Sequence, residues 1–318
     1  MESITTKVGI DAAKDNLDIQ IERAGGRQRL RIENKAAGFK KLNSMLEGER
    51  CIIAIEASGR YETAVRRSLE EAGHEVRLQN PRQVRRLAQG MGIDAKTDRL
   101  DAEVLVRTIG FCAPNEPKSE EREALADLER MVATIKKEKS AHLNRLGVPD
   151  LSKEVVASLK RIVKALEKEI EALEKELVKQ IKASSLRAKY ELALSIPGVG
   201  PVLAATAVCE LAEDIDKWNA RQVASYANLA PKDNSSGKRI SQSRIGKHGN
   251  MHLKGALYMP ALNVVYRQQW ANDTYKRLRA RGLKHQQAIV PIMRKLLLQI
   301  VSVLKRGTPW QGVPPQRA

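Results

Sequence analysis

Ten apolar residues from Val148 to Ile181 recur in steps of three, four and four, through Leu151, Val155, Leu159, Ile162, Leu166, Ile170, Leu173 and Leu177. An eleven-residue period of this kind keeps one stripe on one side of a straight or slightly right-handed coil, whereas a heptad winds left-handed. The other faces carry Glu167, Lys168, Glu169, Glu171, Glu174, Lys175 and Glu176, as a solvated helix should. A stripe this long has to be covered, and no other segment of the 318-residue chain reads as a helix of equal length. The pattern therefore predicts a long coiled-coil helical linker over 118–185 that pairs between subunits, as a homodimer or a dimer of dimers, or else a long helix packed inside one subunit.

Ahead of the linker, residues 1–113 alternate strands and helices. Lys7–Asp11 is a strand ending on an acid, and Leu17–Glu22 and Arg29–Asn34 form a hairpin about Gly25 and Gly26. Cys51–Ile55 is a short continuous apolar run, the mark of a strand buried on both faces. A strand at Glu75–Gln79 and helices near 36–46, 62–72, 81–88 and 98–109 complete an α/β domain with a mixed sheet. Pro114–Pro117 marks its end. Beyond the linker, 190–308 reads as a mostly helical basic domain and 309–318, rich in Pro and Gln, as a flexible tail.

Charge divides the chain in the same way. From Lys217 to the C-terminus there are 19 Lys and Arg against Asp233 and Asp273, a net +17 of the whole chain's +18. Such a segment repels itself unless it meets a polyanion, and nucleic acid is the polyanion it fits best. No run of apolar residues long enough to cross a bilayer and no basic-then-apolar leader is expected, so a membrane is not a partner. Cys51, Cys112 and Cys209 are scattered and odd in number, which suits neither a disulfide framework nor a zinc site and points to a reducing, cytoplasmic setting.

Four acids carry the chemistry. Asp11 closes the first strand, Glu56 closes the fourth, and Asp98 and Asp101 stand three apart on one helical turn. Two acids at the C-terminal ends of central strands, with a helix beside them, collect four carboxylates at one sheet edge. Their mutual repulsion is relieved by divalent cations, and hard oxygen ligands suit Mg2+ (or Mn2+). Two such ions about 4 Å apart clamp the attacking and leaving oxygens of a phosphodiester. Asp15, Asp18 and Asp94 fit this set less well, falling in a turn, on a hairpin strand and in a loop.

Two further motifs lie in the basic region. Ile196-Pro197-Gly198-Val199-Gly200-Pro201 sets a glycine turn between two helices, a helix-hairpin-helix-like grip on a nucleic-acid backbone through Gly198 and Gly200, or else a plain interhelical turn. Pro231-Lys232-Asp233-Asn234-Ser235-Ser236-Gly237-Lys238-Arg239 places serines beside cations, with Arg244 and Lys247 following. Such a loop binds phosphate, and one of its serines could act as a nucleophile with the cations stabilising charge on phosphorus. His248 and His252 lack carboxylate or cysteine neighbours in sequence and read as DNA contacts or packing rather than zinc ligands.

Taken together these residues resemble the Asp-Glu-Asp-Asp transposases of the insertion-sequence family numbered one hundred and ten. Gly9-Ile10-Asp11, Glu56-Ala57-Ser58-Gly59-Arg60-Tyr61 and Lys96-Thr97-Asp98-Arg99-Leu100-Asp101-Ala102 stand in that family's order. So do the Ile196–Pro201 block, Tyr226-Ala227-Asn228-Leu229-Ala230-Pro231 and Ser235-Ser236-Gly237-Lys238. The resemblance implies an α/β RuvC/RNase H-like N-terminal domain, a coiled-coil linker and a C-terminal domain with a catalytic serine, here Ser236, with Ser235 beside it. It implies a recombinase that cuts and rejoins donor and target double-stranded DNA through a metal-assisted phosphoserine intermediate, guided by a structured non-coding (bridge) RNA. Two other readings use part of the same residues. A Holliday-junction resolvase would use the acids to activate water, and an architectural DNA-binding protein would need no acids.

Overall fold

The computed structural model describes residues 6–57, 59–93, 98–111, 119–211, 215–232, 244–246 and 249–312. The chain divides into two units, 1–118 and 119–318.

The first unit is a five-stranded sheet with helices on both faces. Its elements are β1 (Thr6–Ala12), β2 (Asn16–Arg23), β3 (Gly26–Glu33), α1 (Ala36–Met45), β4 (Cys51–Glu56), α2 (Thr63–Glu71), β5 (Glu75–Gln79), α3 (Pro81–Gly90) and α4 (Asp98–Thr108). The strand order is β3-β2-β1-β4-β5. β1–β2 and β2–β3 are antiparallel, and β1–β4 and β4–β5 are parallel. This is the α/β domain with a mixed sheet expected from the sequence.

Alternation sorts the side chains between two cores. Val8, Ile10, Leu17, Ile53 and Ile55 face Leu42 of α1 and Val65 and Leu69 of α2. Ile52 and Ala54 face Val84 and Ala88 of α3 and Leu105 of α4. β4 is covered on both sides, which is why it reads as an unbroken apolar run. β3 lies at an edge and carries Arg27, Arg29 and Arg31, charges that discourage pairing with another strand.

The second unit is helical: α5 (Glu120–Leu146), α6 (Lys153–Ala183), α7 (Arg187–Leu194), α8 (Pro201–Leu211), α9 (Ala220–Tyr226), α10 (Met251–Arg267), α11 (Gln269–Ala280) and α12 (His285–Arg306). A short antiparallel pair, β6 (Pro231–Lys232) with β7 (Arg244–Ile245), lies between α9 and α10. α8 is buried from Leu203 to Leu211 and forms the centre of the core. α12 is long and apolar enough by composition to cross a bilayer, but its apolar side is spent on this core, through Ile292, Leu296, Leu297 and Ile300.

The linker is broken into two helices, and it takes the packing within one subunit instead of between subunits. It is not one helix, because Gly147 ends α5, Asp150 takes a left-handed φ of 59°, and Ser152 caps a new start by accepting from Val155 N. The partner for α6 is α5, antiparallel within the same chain and joined to it by the ion pairs Lys136–Glu174 and Lys139–Glu167. The buried face of α6 runs through Leu159, Val163, Ile170, Leu177 and Ile181, with Leu166 and Leu173 half-buried. Those positions step by four and three as far as Leu177, as a heptad does, and then by four to Ile181, so the expected series holds except at one position. Val163 takes the place expected for Ile162, which is 38% exposed.

Candidate active site

The geometry of the acids starts from a residue with no side chain. A Cβ on Gly9 would lie 2.2 Å from Ala102 O and 3.0 Å from Val106 N, so only glycine lets α4 lie this close to β1. Gly9 therefore faces α4. Asp11, two residues on, shares that face by the period of a strand. Ile10 stands beside Ile55 in the parallel ladder, so Asp11 and Glu56 are the next residues on neighbouring strands. Glu56 has the parity of Ile52 and Ala54, which pack on the α3–α4 side. Asp101 precedes Ala102, the residue lying over Gly9. Asp11, Glu56 and Asp101 are thus brought to one face of the sheet, towards the C-terminal ends of β1 and β4, and all three are half-buried. Asp98 opens α4 one turn earlier, and its side chain lies outside the described residues.

The register adds an acid that the sequence reading set aside. Asp18 stands directly opposite Asp11 across the β1–β2 pair, so it belongs to the same face. Its carboxylate is 3.7 Å from Arg31 Nε. Counting back through the turn, where Ala13 N donates to Asn16 O, would have put Asp18 against Asp11.

Two loops leave this edge, and one residue ties them. Asn34 Nδ2 donates to Ala13 O at 2.8 Å and to Tyr61 O at 2.9 Å, joining the exits of the two strands that carry Asp11 and Glu56. In the second loop Gly59 and Arg60 both have left-handed φ, 66° and 81°. For Arg60 this is a strained conformation of the kind that persists where its surroundings impose it. Neither Asn34 nor this strain has a signal in the sequence.

Oxygen donors of this kind suit a hard divalent cation. Among the described residues no three His, Cys, Asp or Glu side chains are gathered closely enough to hold a metal by themselves. The acids share a face and an edge without closing into a finished cage.

In the second unit the glycine turn does join two helices, α7 and α8. Gly198 has φ 95°, and a Cβ there would meet Val264 Cγ2 of α10 at 2.2 Å. Packing against α10 accounts for that glycine without a phosphate. Gly200 is half-buried at the start of α8. Ser235, Ser236, Lys238, Arg239 and Lys247 lie outside the described residues, as does His248, and Arg244 is described only through its backbone in β7. His252 takes the packing role that the sequence left open. It is paired with buried Glu129 of α5, whose hydrogen bond raises the imidazole pKa against the opposing effect of burial. Among the described residues the free thiols are buried, Cys51 pushed up to about 11 and Cys209 to about 12 by desolvation, so neither is poised as a nucleophile.

A mixed α/β sheet with acids gathered on one edge, followed by a basic helical unit, is the layout of a DNA strand-transfer enzyme. Family comparisons agree with that class. Residues 8–147 match the DEDD transposase model of the IS110 type, and 190–276 match the model described as transposase IS116/IS110/IS902 family. The chain belongs to the IS110 family of transposases. The "Pilin gene-inverting protein" of Moraxella bovis is 27% identical over 96% of this chain and 97% of its own length. The "Transposase for insertion sequence element IS1328" of Yersinia enterocolitica is 23% identical over 83% of this chain and 85% of its own. Among solved structures, T. thermophilus RuvC in complex with Holliday junction substrate is similar at 15% identity and a TM-score of 0.26, covering 35% of this chain and 99% of that one.

Proposed function

We propose that this transposase cuts and rejoins donor and target double-stranded DNA through a covalent phosphoserine formed on Ser236. The observation that carries the reading is the shared face of Asp11, Glu56 and Asp101, fixed by the register of β1 with β4 and by Gly9 under α4. These three, with Asp98, would hold Mg2+ (or Mn2+). Bound there, the ions would neutralise charge developing on the phosphate oxygens. Ser236 Oγ attacks the DNA phosphorus, its proton leaves, and the bond to one sugar oxygen breaks, so that oxygen takes up a proton. The hydroxyl of the incoming strand then attacks the same phosphorus and displaces the serine. The phosphodiester energy is kept in the enzyme–DNA bond, so joining needs no external cofactor. Lys238, Arg239, Arg244 and Lys247 would contact the phosphates around the serine.

A structured non-coding RNA from the element would select the two DNA partners, and the functional assembly would be a homodimer or a dimer of dimers. Exposed apolar residues near the tip of the α5–α6 hairpin support self-association: Leu143, Val148, Val155 and Ile162.

The test combines the protein, its element RNA and donor and target DNA, with joined product and detergent-resistant protein–DNA adduct both measured. Ser236→Ala should lose both while still binding DNA, and Ser235→Ala should keep both. If only Ser235→Ala is inactive, the nucleophile moves by one residue. Normal joining by both variants would exclude a serine mechanism.

A further inference from the structure

Two glutamates are buried in the core of the second unit. Glu129 of α5 and Glu210 of α8 are each 3% exposed. A carboxylate in such a place is costly unless it is paired and hydrogen-bonded, and both are. Glu129 Oε1 accepts from Thr206 Oγ1 at 2.5 Å, and its other oxygen is paired with His252 Nε2. Glu210 Oε1 accepts from Arg130 Nη2 at 3.2 Å. Its Oε2 accepts from Tyr226 Oη at 3.0 Å and from Asn250 Nδ2 at 2.8 Å. Asn250 Nδ2 also donates to the Tyr226 oxygen at 3.0 Å, closing a triangle of side chains.

The places of Tyr226 and Asn250 in the chain give this triangle its meaning. Tyr226 is the last residue of α9, and Asn250 is the N-cap of α10, its Oδ1 accepting from Leu253 N at 2.9 Å. Between them runs the segment that contains Ser236. Their backbones meet as well: Asn250 N donates to Tyr226 O at 2.5 Å. Gly249, with φ 120°, makes the crossing possible, since a Cβ there would lie 2.6 Å from Tyr226 O. A little further out the two arms pair again, Pro231 with Ile245 and Lys232 with Arg244. Where the chain leaves α9 and where it returns to α10 are therefore pinned to each other and to one buried carboxylate.

A core that needed only stability would do as well with apolar residues of the same volume here. What apolar packing cannot do is set direction. Glu210 holds Tyr226 and Asn250 by fixed hydrogen bonds, and Arg130 and Glu129 bring α5, the inner helix of the hairpin, into the same cluster.

We propose that Glu210, Tyr226 and Asn250 are positioning residues that clamp both ends of the serine-bearing segment, and that Glu129, Arg130 and His252 couple this clamp to the α5–α6 hairpin. The catalytic half of this inference rests on the reading of Ser236 as nucleophile; the clamp itself does not.

The test uses the full chain and two measurements that answer separately. Tyr226→Phe removes one hydroxyl and keeps the ring. Hydrogen exchange should quicken at the amides of 232, 244–246 and 249–253 while those of α12 stay as protected as in the wild type. At saturating DNA, joining should slow by roughly 10- to 100-fold with DNA affinity unchanged, the signature of a misplaced reacting group. Asn250→Ala should do the same, and Asn250→Asp, which keeps the cap but sets a second carboxylate against Glu210, should not rescue it. Exchange that rises equally in α12 would show a general loss of stability and overturn the clamp, as would unchanged exchange at the loop base. Local loosening with undiminished joining would overturn the positioning role. Ser236→Ala run beside these variants separates the two ideas. If it joins DNA normally, the nucleophile reading fails, and the exchange pattern of Tyr226→Phe still decides the clamp.

Discussion

Gly9 shows how one missing methyl group lets a helix lie on the strand that ends in Asp11. Because α4 lies on its Cα, Gly9→Ala must push the helix off β1, against backbone atoms that cannot yield. Overpacking of this kind costs about 1–3 kcal/mol, which urea unfolding would read, and moving Asp101 away from Asp11 should depress strand cleavage further than the stability loss explains. Asp11→Asn and Asp101→Asn keep shape and remove charge, so each should abolish cleavage and leave DNA binding intact; full cleavage by both would remove the site. His252 gives a pH signature. Its pKa is raised in the folded protein by Glu129, with Glu210 adding to the effect and burial and Arg130 opposing it. A raised value means that the pair's contribution is whole below the unfolded pKa of about 6.5 and is lost as pH climbs through the folded value. The melting temperature of wild type should therefore exceed that of His252→Gln by more at about pH 6 than at about pH 9, and an equal gap at both would count against the ion pair. At this scale the shared face of Asp11, Glu56 and Asp101 was legible because strand ends and a helical turn are local patterns. Asp18 was not, because its place depends on counting register through a turn, and Asn34 was not, because an asparagine that bridges two loops looks like any turn residue.

Element by element, the α/β unit was readable almost throughout, since each strand is short, each face is buried or solvated, and alternation reports which. Reading failed at the hairpin for a physical reason. Along α5 the positions facing α6 are apolar only as far as Ile135, and further out Lys136 and Lys139 meet Glu174 and Glu167 instead. Charged pairs thus take over part of its contact face, and the shortened apolar stripe does not betray it as a partner helix. The correction changes which substitutions test self-association. Leu177, 1% exposed, belongs to the fold, and Leu177→Ala should cost about 2–5 kcal/mol in unfolding experiments. Leu166 and Leu173 now also face inward, so charging them would damage the hairpin itself. Val155 and Ile162 are exposed at 45% and 38%. Val155→Asp with Ile162→Asp should leave the melting temperature within a few degrees of wild type, since surface changes usually stay within about ±0.5 kcal/mol, and should halve the sedimenting mass if the hairpin joins subunits. A wild type that sediments as a monomer with and without nucleic acid would remove the proposal.

The whole molecule separates a nearly neutral first two-thirds from a strongly basic last third, and the fold shows which of those cations can meet a polyanion. Some are already engaged: Lys305 donates to Trp218 O, and Lys295 lies 4.5 Å from the centre of the Trp270 ring. Others stand exposed, although Arg279 Nη1 also donates to Leu283 O at 2.7 Å. Lys276, Arg277 and Arg279 on α11, with Arg281 and Lys284 after it, are five exposed cations within nine residues. A patch this dense would neutralise several phosphates at once, and each contact releases condensed counterions, so affinity falls with salt by a slope of about 0.9 per phosphate. Lys276→Ala, Arg277→Ala, Arg281→Ala and Lys284→Ala combined should therefore flatten the slope of log affinity against log salt by about 3–4, and weaken binding about equally for related and unrelated sequences. All four side chains are solvent-exposed, so folding should survive, and far-ultraviolet circular dichroism would confirm that it does. Sequence choice should be untouched, because phosphate contacts position a protein on the duplex without reading its bases. An unchanged slope would move the main nucleic-acid surface away from α11, whereas a flattened slope with altered sequence preference would mean that this patch reads bases as well as backbone.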